Sequence, residues 1–480
     1  MKNLKFQSLI YGMLLLFIGA PCMAQTTDKP RVFVLTDIEN EPDDAQSLVR
    51  FLLYSNQFDV EGLIATTSTH LRDKTAAWRI KEIVNAYGKV RNNLLQHEKG
   101  FPTEEHLLST IKSGLPKYGM NAVGAGNDSE GSESLINVVD KEDDRPVWVT
   151  VWGGANVLAQ ALWKIRHTRT LGELNKFVAK LRVYTISDQD DSGVWMRNEF
   201  PNLFYIVSPG EDYIHSTWNG IGGESFRKYA SGADASLAEN PWLRKNIMQN
   251  HGPLGAQYPE VEYIMEGDTP SFLGLIDNGL NVPDRPDFGG WGGRYELYKP
   301  HFKPYRNFDH QAPEQRAIWT DASDEVMGID GRIYINNQAT IWRWREAFQN
   351  DFAARMDWCV KPYQEANHPP IVKVDKTTNI TIRPGESIQF DASDSTDPDG
   401  DTLSYHWFNY KEAGTYWAFN WYKPLTILNG NSAKATLEIG ERIELSKAQT
   451  THLILAVTDS GSPALTRYQR IIINILPKNK

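Results

Sequence analysis

Cysteine is almost absent from this sequence. Of 480 residues only Cys22 and Cys359 are cysteine. Cys22 falls in a stretch that reads as a removable leader, so no internal disulfide is available to the rest of the chain. An excess of positive charge is also lacking. Lys and Arg number 50 against 60 Asp and Glu, for a net charge of −10, and losing Lys2 and Lys5 with the leader takes it to about −12. This balance argues against nucleic acid as a partner, because phosphate binding runs on Lys and Arg. There is no repeat of solenoid period and no low-complexity tract. The apolar run around Leu9 to Ile18 is too short for a stable membrane span. It follows Lys2 and Lys5 and precedes Pro21-Cys22-Met23-Ala24-Gln25, the pattern of a secretory signal peptide cut after Ala24. Export to the periplasm, the cell surface or the medium is therefore expected. Pro21 fits lipidation of Cys22 poorly. Cys359, in Met356-Asp357-Trp358-Cys359-Val360, reads as a small buried apolar residue.

Carboxylates at strand ends are what the sequence has in quantity. Val32-Phe33-Val34-Leu35-Thr36 has strand composition and empties into Asp37-Ile38-Glu39-Asn40-Glu41-Pro42-Asp43-Asp44. Five carboxylates so close together repel one another unless a cation or a retained proton compensates. A tight turn aims Glu39, Asp43 and Asp44 at one point, and a set of hard oxygen ligands suits calcium or magnesium rather than zinc. Residues 45–54 read as a helix, whose N-terminus favours nearby negative charge. The competing reading is a solvated acidic loop that caps a helix.

Strands and helices alternate from Arg31 to about Pro209. Further strands are read at 59–66, 146–152 and 181–186, with helices at 74–87 and 155–165. That rhythm predicts an α/β fold with an open, mainly parallel sheet flanked by helices. Ligands of such sheets sit beyond the carboxyl ends of the strands. The acidic turn at Asp37, Thr66 to His70, Gly153-Gly154 and Asp188 to Asp191 all fall on that edge. Asp190 is a candidate for sugar hydroxyls, with a plain turn as its rival. From about Tyr213 to Tyr363 the pattern loosens into Gly, Pro, Trp and Tyr, with a late helix over 339–352. Trp291 and Tyr295 stand among glycines, placed to stack a sugar or to fill a core. His215 with Trp218 poses the same choice. Composition divides the chain into a signal peptide over 1–24, the α/β domain over 25–364, a linker over 365–370, and an all-β immunoglobulin-like sandwich of about seven strands over 371–480, with Trp407 as its core aromatic. Asp394, Asp397, Asp399 and Asp401 form an acidic turn in the sandwich.

The stretch Asp37-Ile38-Glu39-Asn40-Glu41-Pro42-Asp43-Asp44-Ala45 resembles, at identical spacing, the Asp-x-Asp-Pro-Gly-x-Asp-Asp-Ala signature of the inosine-uridine-type nucleoside hydrolases. Glu61 to Thr67, Gly153-Gly154-Ala155-Asn156, Asn198-Glu199-Phe200-Pro201-Asn202 and Gly267-Asp268 are similar to later motifs of that family. The leader and the C-terminal sandwich resemble a subgroup of exported cellulose-binding proteins with a nucleoside-hydrolase-like domain. The resemblance implies one Ca²⁺, held by Glu39, Asp44 and Asp268 with a backbone carbonyl near Val151. It implies Glu39 or Asp43 as general base, and Thr69, His70, Asn156, Asn198, Glu199 and Asn202 as holders of sugar hydroxyls. Three departures stand out: Glu39 replaces Asp, Asn40-Glu41 replaces Pro-Gly, and no His precedes Asp268. The function expected is a secreted, metal-dependent glycoside hydrolase that cleaves a pentose-type N- or O-glycosidic bond. The alternatives are a non-catalytic cellulose- or carbohydrate-binding protein and a periplasmic nucleoside-salvage hydrolase. A carbohydrate or nucleoside is the expected partner, and oligomerisation is left open.

Overall fold

The computed structural model describes residues 29–210, 212–224, 231–301, 313–416, 425–441 and 445–477. The leader expected over 1–24, with Cys22, lies outside them.

Strand β1 (Arg31–Thr36) is buried along its whole length. Val32 and Val34 face one core and Phe33 and Leu35 the other, the two-residue alternation of a strand covered on both sides. It joins β2 (Asp59–Ala65), β3 (Ile111–Ser113), β4 (Val147–Val151), β5 (Leu181–Ser187), β6 (Phe204–Ser208), β7 (Tyr295–Tyr298) and β8 (Ile318–Asp321). The order across the sheet is β3-β2-β1-β4-β5-β6-β8-β7. Every pairing is parallel except β7 with β8. Helices α1 (Pro42–Leu53) and α2 (Ala77–His97) pack on one face. After the short α3 (Glu104–Thr110), α4 (Glu130–Asp140), α5 (Asn156–Thr168), α6 (Leu171–Ala179) and α7 (Ser192–Glu199) pack on the other. The chain builds outward from β1 in one direction and, from β4, in the other. The gap between the ends of β1 and β4 is therefore the topological switch point, where open α/β sheets collect ligands.

A short hairpin, β9 (Asp324–Met327) and β10 (Ile333–Asn336), and helix α8 (Arg345–Asp357) complete the first domain. The second domain is a sandwich of β11 (Asn379–Ile382), β12 (Ser387–Asp391), β13 (Ser404–Tyr410), β14 (Leu425–Leu428), β15 (Lys434–Ile439), β16 (Gln449–Thr458) and β17 (Thr466–Ile475). Its sheets run β11-β17-β16-β13 and β12-β15-β14. Trp407 lies in the core between them, 5.4 Å from the Phe390 ring.

The two domains share a core rather than a tether. Composition reads 365–370 as a linker, yet Ala366, Asn367 and His368 are buried. Tyr410, Ile454 and Tyr468 of the sandwich join the same apolar cluster as Trp291, Trp344 and Phe348. The Tyr468 and Arg470 amides donate to the Asn278 and Gly279 carbonyls at 2.9 and 3.1 Å. The loop at 278–279 thus finishes an edge of β17 that would otherwise leave its donors unpaired. Gly279 has φ 80°, and a Cβ there would stand 1.9 Å from the Tyr468 carbonyl oxygen. Only glycine closes this seam.

Candidate metal centre

Beyond Thr36 the chain turns at once. The Asn40 amide donates to the Asp37 carbonyl at 3.2 Å, and Glu39 takes a left-handed backbone with φ 75°. Pro42 opens α1, where its fixed φ and missing N–H suit a first turn. Asp43 and Asp44 therefore stand in that turn, at the end of the helix that favours negative charge. Asp268 arrives from a distant loop. One carboxylate oxygen from each of Asp43, Asp44 and Asp268 lies within 4.8 Å of the other two. The three residues are 8%, 4% and 2% exposed.

Helix α1 also holds the loop that brings the third carboxylate. Arg50 Nη2 donates to Glu266 Oε1 at 3.0 Å, Gln46 Oε1 accepts from the Glu266 amide at 3.0 Å, and Tyr258 Oη donates to Glu266 Oε1 at 2.7 Å. Gly267 makes the close approach possible, because a Cβ there would stand 2.8 Å from Asp43 Oδ2 and 3.0 Å from the Trp218 ring.

Burial pushes these carboxyls toward the protonated form, and the charges acting most strongly on them are themselves acidic. Asp43 is lifted to about 8 by burial, with Glu41 and Asp37 adding to it. Asp44 is held well above the carboxylate range by burial and then by Asp37 and Asp43. Asp268 is raised likewise by burial and then by Asp44, Asp43 and Asp37. Asp37, 2% exposed, is lifted to about 7 by burial against the opposing Ser68 hydrogen bond, with Glu41 and Asp190 adding to the rise. Thr36 Oγ1 donates to Asp44 Oδ1, whereas Asp268 Oδ2 is buried without a hydrogen-bond partner. An unpaired buried carboxylate oxygen among like charges is unfavourable unless something cationic completes the group. The all-oxygen donor set fits a hard divalent cation such as Ca²⁺.

A cavity of about 230 Å³ opens above the group. Asp37, Asp43, Asp44 and Asp268 line it, with Trp152, Trp218, Tyr213, Tyr263, His70 and Gln189. The aromatic walls are fixed: Trp152 Nε1 donates to Ser271 Oγ at 2.9 Å and Trp218 Nε1 to Ser187 Oγ at 2.8 Å. His70 Nε2 lies 3.0 Å from the Tyr213 hydroxyl.

The residues expected from spacing and from the family resemblance are only partly brought together. Asp43, Asp44 and Asp268 meet. Glu39 does not join them, and its expected ligand and base roles are corrected. Its left-handed backbone turns the side chain outward, where it is 39% exposed and paired with Arg79 Nε at 3.1 Å. Val151 ends β4 one residue before the cavity-lining Trp152. Of the sugar-binding candidates, His70 lines the cavity. Thr69 is used by its own loop, its amide donating to the Gln189 carbonyl at 2.6 Å and its hydroxyl accepting from Arg72 at 3.2 Å. Asn156 is buried and donates to Thr67 Oγ1 at 2.8 Å and the Lys117 carbonyl at 3.0 Å. Asp190 accepts from the Ser192 amide at 2.9 Å, and a Cβ on Gly154 would stand 2.4 Å from its Oδ2.

Asn198, Glu199 and Asn202 are exposed at the opposite edge of the sheet. Helix α7 starts beyond the carboxyl end of β5 and runs back, so its last residues sit where β6 begins, and Glu199 pairs there with Arg166. Trp291 is no sugar platform. It is fully buried, with its ring edge-on to Phe348 and Tyr468 at 6.4 Å. Tyr295 is buried against Tyr184. His215 points to solvent beside Asp212, while Trp218 lines the cavity.

Sequence reasoning gave no separate role to Asp37, Trp152, Tyr213 or Tyr263. Asp37 and Trp152 each follow directly on a strand at the carboxyl edge, a signal that was available. Tyr213 and Tyr263 come from irregular chain and carried none. Cys359 is buried, and burial pushes its thiol up. No described helix is long and apolar enough to cross a membrane.

Residues 31–295 match the family described as cellulose-binding Sde182, nucleoside hydrolase-like domain. Residues 387–475 match the C-terminal domain of cellulose-binding protein Sde0182. A solved structure of a nucleoside hydrolase-related hypothetical protein from Saccharophagus degradans, associated with carbohydrate metabolism, is 37% identical. It covers 93% of this chain and 100% of that one, with a TM-score of 0.76. The PKD domain of the KIAA 1837 protein is 19% identical over 24% of this chain and 97% of that one, with a TM-score of 0.17. No curated protein matches the chain.

Proposed function

This chain belongs to the cellulose-binding Sde182 family with a nucleoside hydrolase-like domain, and on that premise we propose that it is an exported, calcium-dependent glycoside hydrolase acting on a pentose-type N- or O-glycoside. The observation that carries the reading is the buried, mutually close set of Asp43, Asp44 and Asp268 beneath an aromatic-walled cavity at the switch point of the sheet.

Asp43, Asp44 and Asp268 would hold the cation, with a main-chain carbonyl at the end of β4 near Val151 as a further donor. When bound, such a cation supplies Lewis acidity to a water and an anchor for sugar hydroxyls. The remaining work belongs to the chain. Asp43, in the first turn of α1, accepts the proton of the attacking water. Asp37 faces the same cavity and adds negative charge beside the anomeric carbon, where positive charge develops in an oxocarbenium-like transition state. Trp152 and Trp218 exclude bulk water and offer apolar faces to the sugar ring. His70 and the Tyr213 hydroxyl form the polar part of the wall that meets the leaving group.

A non-catalytic carbohydrate-binding role is the second reading. The outward turn of Glu39 favours it, because the second acid of the Asp37-Ile38-Glu39 stretch is lost to the site. Assay of nitrophenyl pentosides, inosine and uridine with calcium-loaded protein separates the two. The hydrolase reading predicts release of nitrophenol that Asp43→Asn lowers by a factor of at least about 100. Release of base from inosine or uridine alone would point to nucleoside salvage. No turnover of any of these, with polysaccharide binding intact, would leave the binder.

A further inference from the structure

A second cavity, about 520 Å³, lies at the junction of the two domains. It is more than twice the volume of the one above the carboxylates. It opens at the opposite edge of the sheet. Helix α2 runs back from the carboxyl edge and ends at His97. Just beyond, the Gly100 carbonyl accepts from Lys29 Nζ at 3.3 Å and Glu98 accepts from Asn56. Lys29 and Asn56 lie just before β1 and β2 begin.

One wall of this cleft is a braced aromatic. Tyr363 is half-buried, and its ring stacks on His368 with centroids 3.8 Å apart and planes 17° apart. His368 and His97 lie side by side with centroids 5.1 Å apart, and the centroid of each is 5.2 Å from that of Trp358. Two hydrogen bonds fix the imidazoles: His97 Nδ1 with His368 Nε2 at 2.9 Å, and His368 Nδ1 with Asp399 Oδ1 at 3.0 Å. The other wall is polar and carries Asp277, Asn278, Arg467, Gln469 and Glu98. Asn278 is 2% exposed, and its Nδ2 has no hydrogen-bond partner although its Oδ1 accepts from the Leu280 and Asn281 amides. A buried amide donor without an acceptor is unfavourable.

We propose that this interdomain cleft is a glycan-anchoring site for a neutral oligosaccharide, separate from the metal cavity. The inference rests on the carbohydrate reading above and adds a place where the polymer is held. A sugar ring offers an apolar C–H face and a rim of hydroxyls that both donate and accept. The rigid Tyr363 ring matches the face, and the planar amides and carboxylates opposite match the rim. Domain junctions are a common place for such clefts. With the cleft at one edge of the sheet and the carboxylates at the other, a held chain leaves the metal cavity open.

The test is calorimetric titration of the full chain with cellohexaose and with xylohexaose. Wild type and Asp268→Asn are expected to bind one of them with equal affinity. Tyr363→Ala is expected to weaken binding at least tenfold, and Asp277→Ala or Gln469→Ala severalfold. Hydrogen exchange of wild type supplies a readout independent of any variant's folding, with protection by the bound oligosaccharide expected at 277–279 and 363–372. Loss of binding in Asp268→Asn, with Tyr363→Ala unaffected, would place the glycan in the metal cavity and overturn the cleft while sparing the carbohydrate reading. Absence of binding by wild type would also overturn the cleft, and the pentoside assay would still decide whether the hydrolase reading stands.

Discussion

Two kinds of buried carboxylate coexist in this molecule. Asp188 and Glu314 are buried around Arg197, which donates to Asp188 at 2.8 and 2.9 Å and to Glu314 Oε1 through Nε at 2.9 Å. Glu266 is buried on Arg50, and Asp351 sits between Arg355 and Arg467. Each of these acids comes with its guanidinium. Asp43, Asp44 and Asp268 are equally deep and are surrounded chiefly by other acids. The chain evidently has the means to neutralise a buried carboxylate and does not apply them at the switch point. That contrast marks the trio as a place kept for an external cation, while the Arg-centred groups hold the scaffold together.

The largest effect expected from breaking the contrast is at Arg197. Arg197→Met leaves Asp188 and Glu314 buried without their guanidinium, and the loss of stability should be about 3–5 kcal/mol, read by denaturant unfolding in the presence of calcium. The same kind of change at the trio has the opposite sign once metal is stripped. Above about pH 8, where Asp43 is ionised, Asp43→Asn removes a like charge, so chelated protein should melt about 2–4 °C higher than chelated wild type. With calcium present the order should reverse, because only wild type gains from binding.

The two kinds also differ in their response to pH. Asp37 and Asp43 are lifted to about 7 and about 8, above the ordinary carboxylate value near 4 that they have when unfolded. The folded state therefore binds more protons, and its advantage is complete below about pH 4 and is lost as pH rises through 7 to 8. Chelated protein should melt at progressively lower temperature from pH 5 to pH 8, and saturating calcium should flatten that slope. Asp351, held low by Arg467 and Arg355 against its burial, contributes the opposite trend, with stability lost only as pH falls below the usual carboxylate range. A chelated protein whose melting temperature rose steadily from pH 5 to pH 8 would mean that the trio is compensated from within.

Smaller effects sharpen the boundary of the site. Gly267→Ala puts a methyl 2.8 Å from Asp43 Oδ2, and calcium affinity should fall roughly tenfold with the fold retained, a loss of about 1.4 kcal/mol. Glu39→Gln breaks only the partly exposed pair with Arg79. Stability should change by no more than about 1 kcal/mol and calcium content not at all, as read by melting and elemental analysis.

The architecture was legible because its signals are local. Continuous apolar runs such as 147–151 can only be strands buried on both faces, and the shift to short alternating strands after 370 marks the sandwich. Asp43 and Asp44 were legible through their spacing after a strand, and Asp268 through the family resemblance. What spacing could not carry is direction. One left-handed residue turns Glu39 out of the group, a backbone choice that the Glu side chain does not announce. Asn198, Glu199 and Asn202 lie at the wrong edge because α7 runs the length of the sheet before they appear, which is a matter of helix length rather than residue type. Trp291 reads equally well as a platform or as core until Phe348 and Tyr468 are known to enclose it, and those contacts come from far along the chain. The burial of Ala366, Asn367 and His368 was hidden for the same reason, since it depends on a domain that follows them.

The central claim is that the buried acids Asp43, Asp44 and Asp268, which gather beyond the end of β1, are completed by a divalent cation. Calorimetric titration of calcium into chelator-stripped wild type and Asp268→Asn tests it most directly. One ion bound per wild-type chain, with binding abolished in the variant and the fold intact by circular dichroism, is the predicted result. No heat of binding in wild type, or equal binding in both proteins, would contradict it.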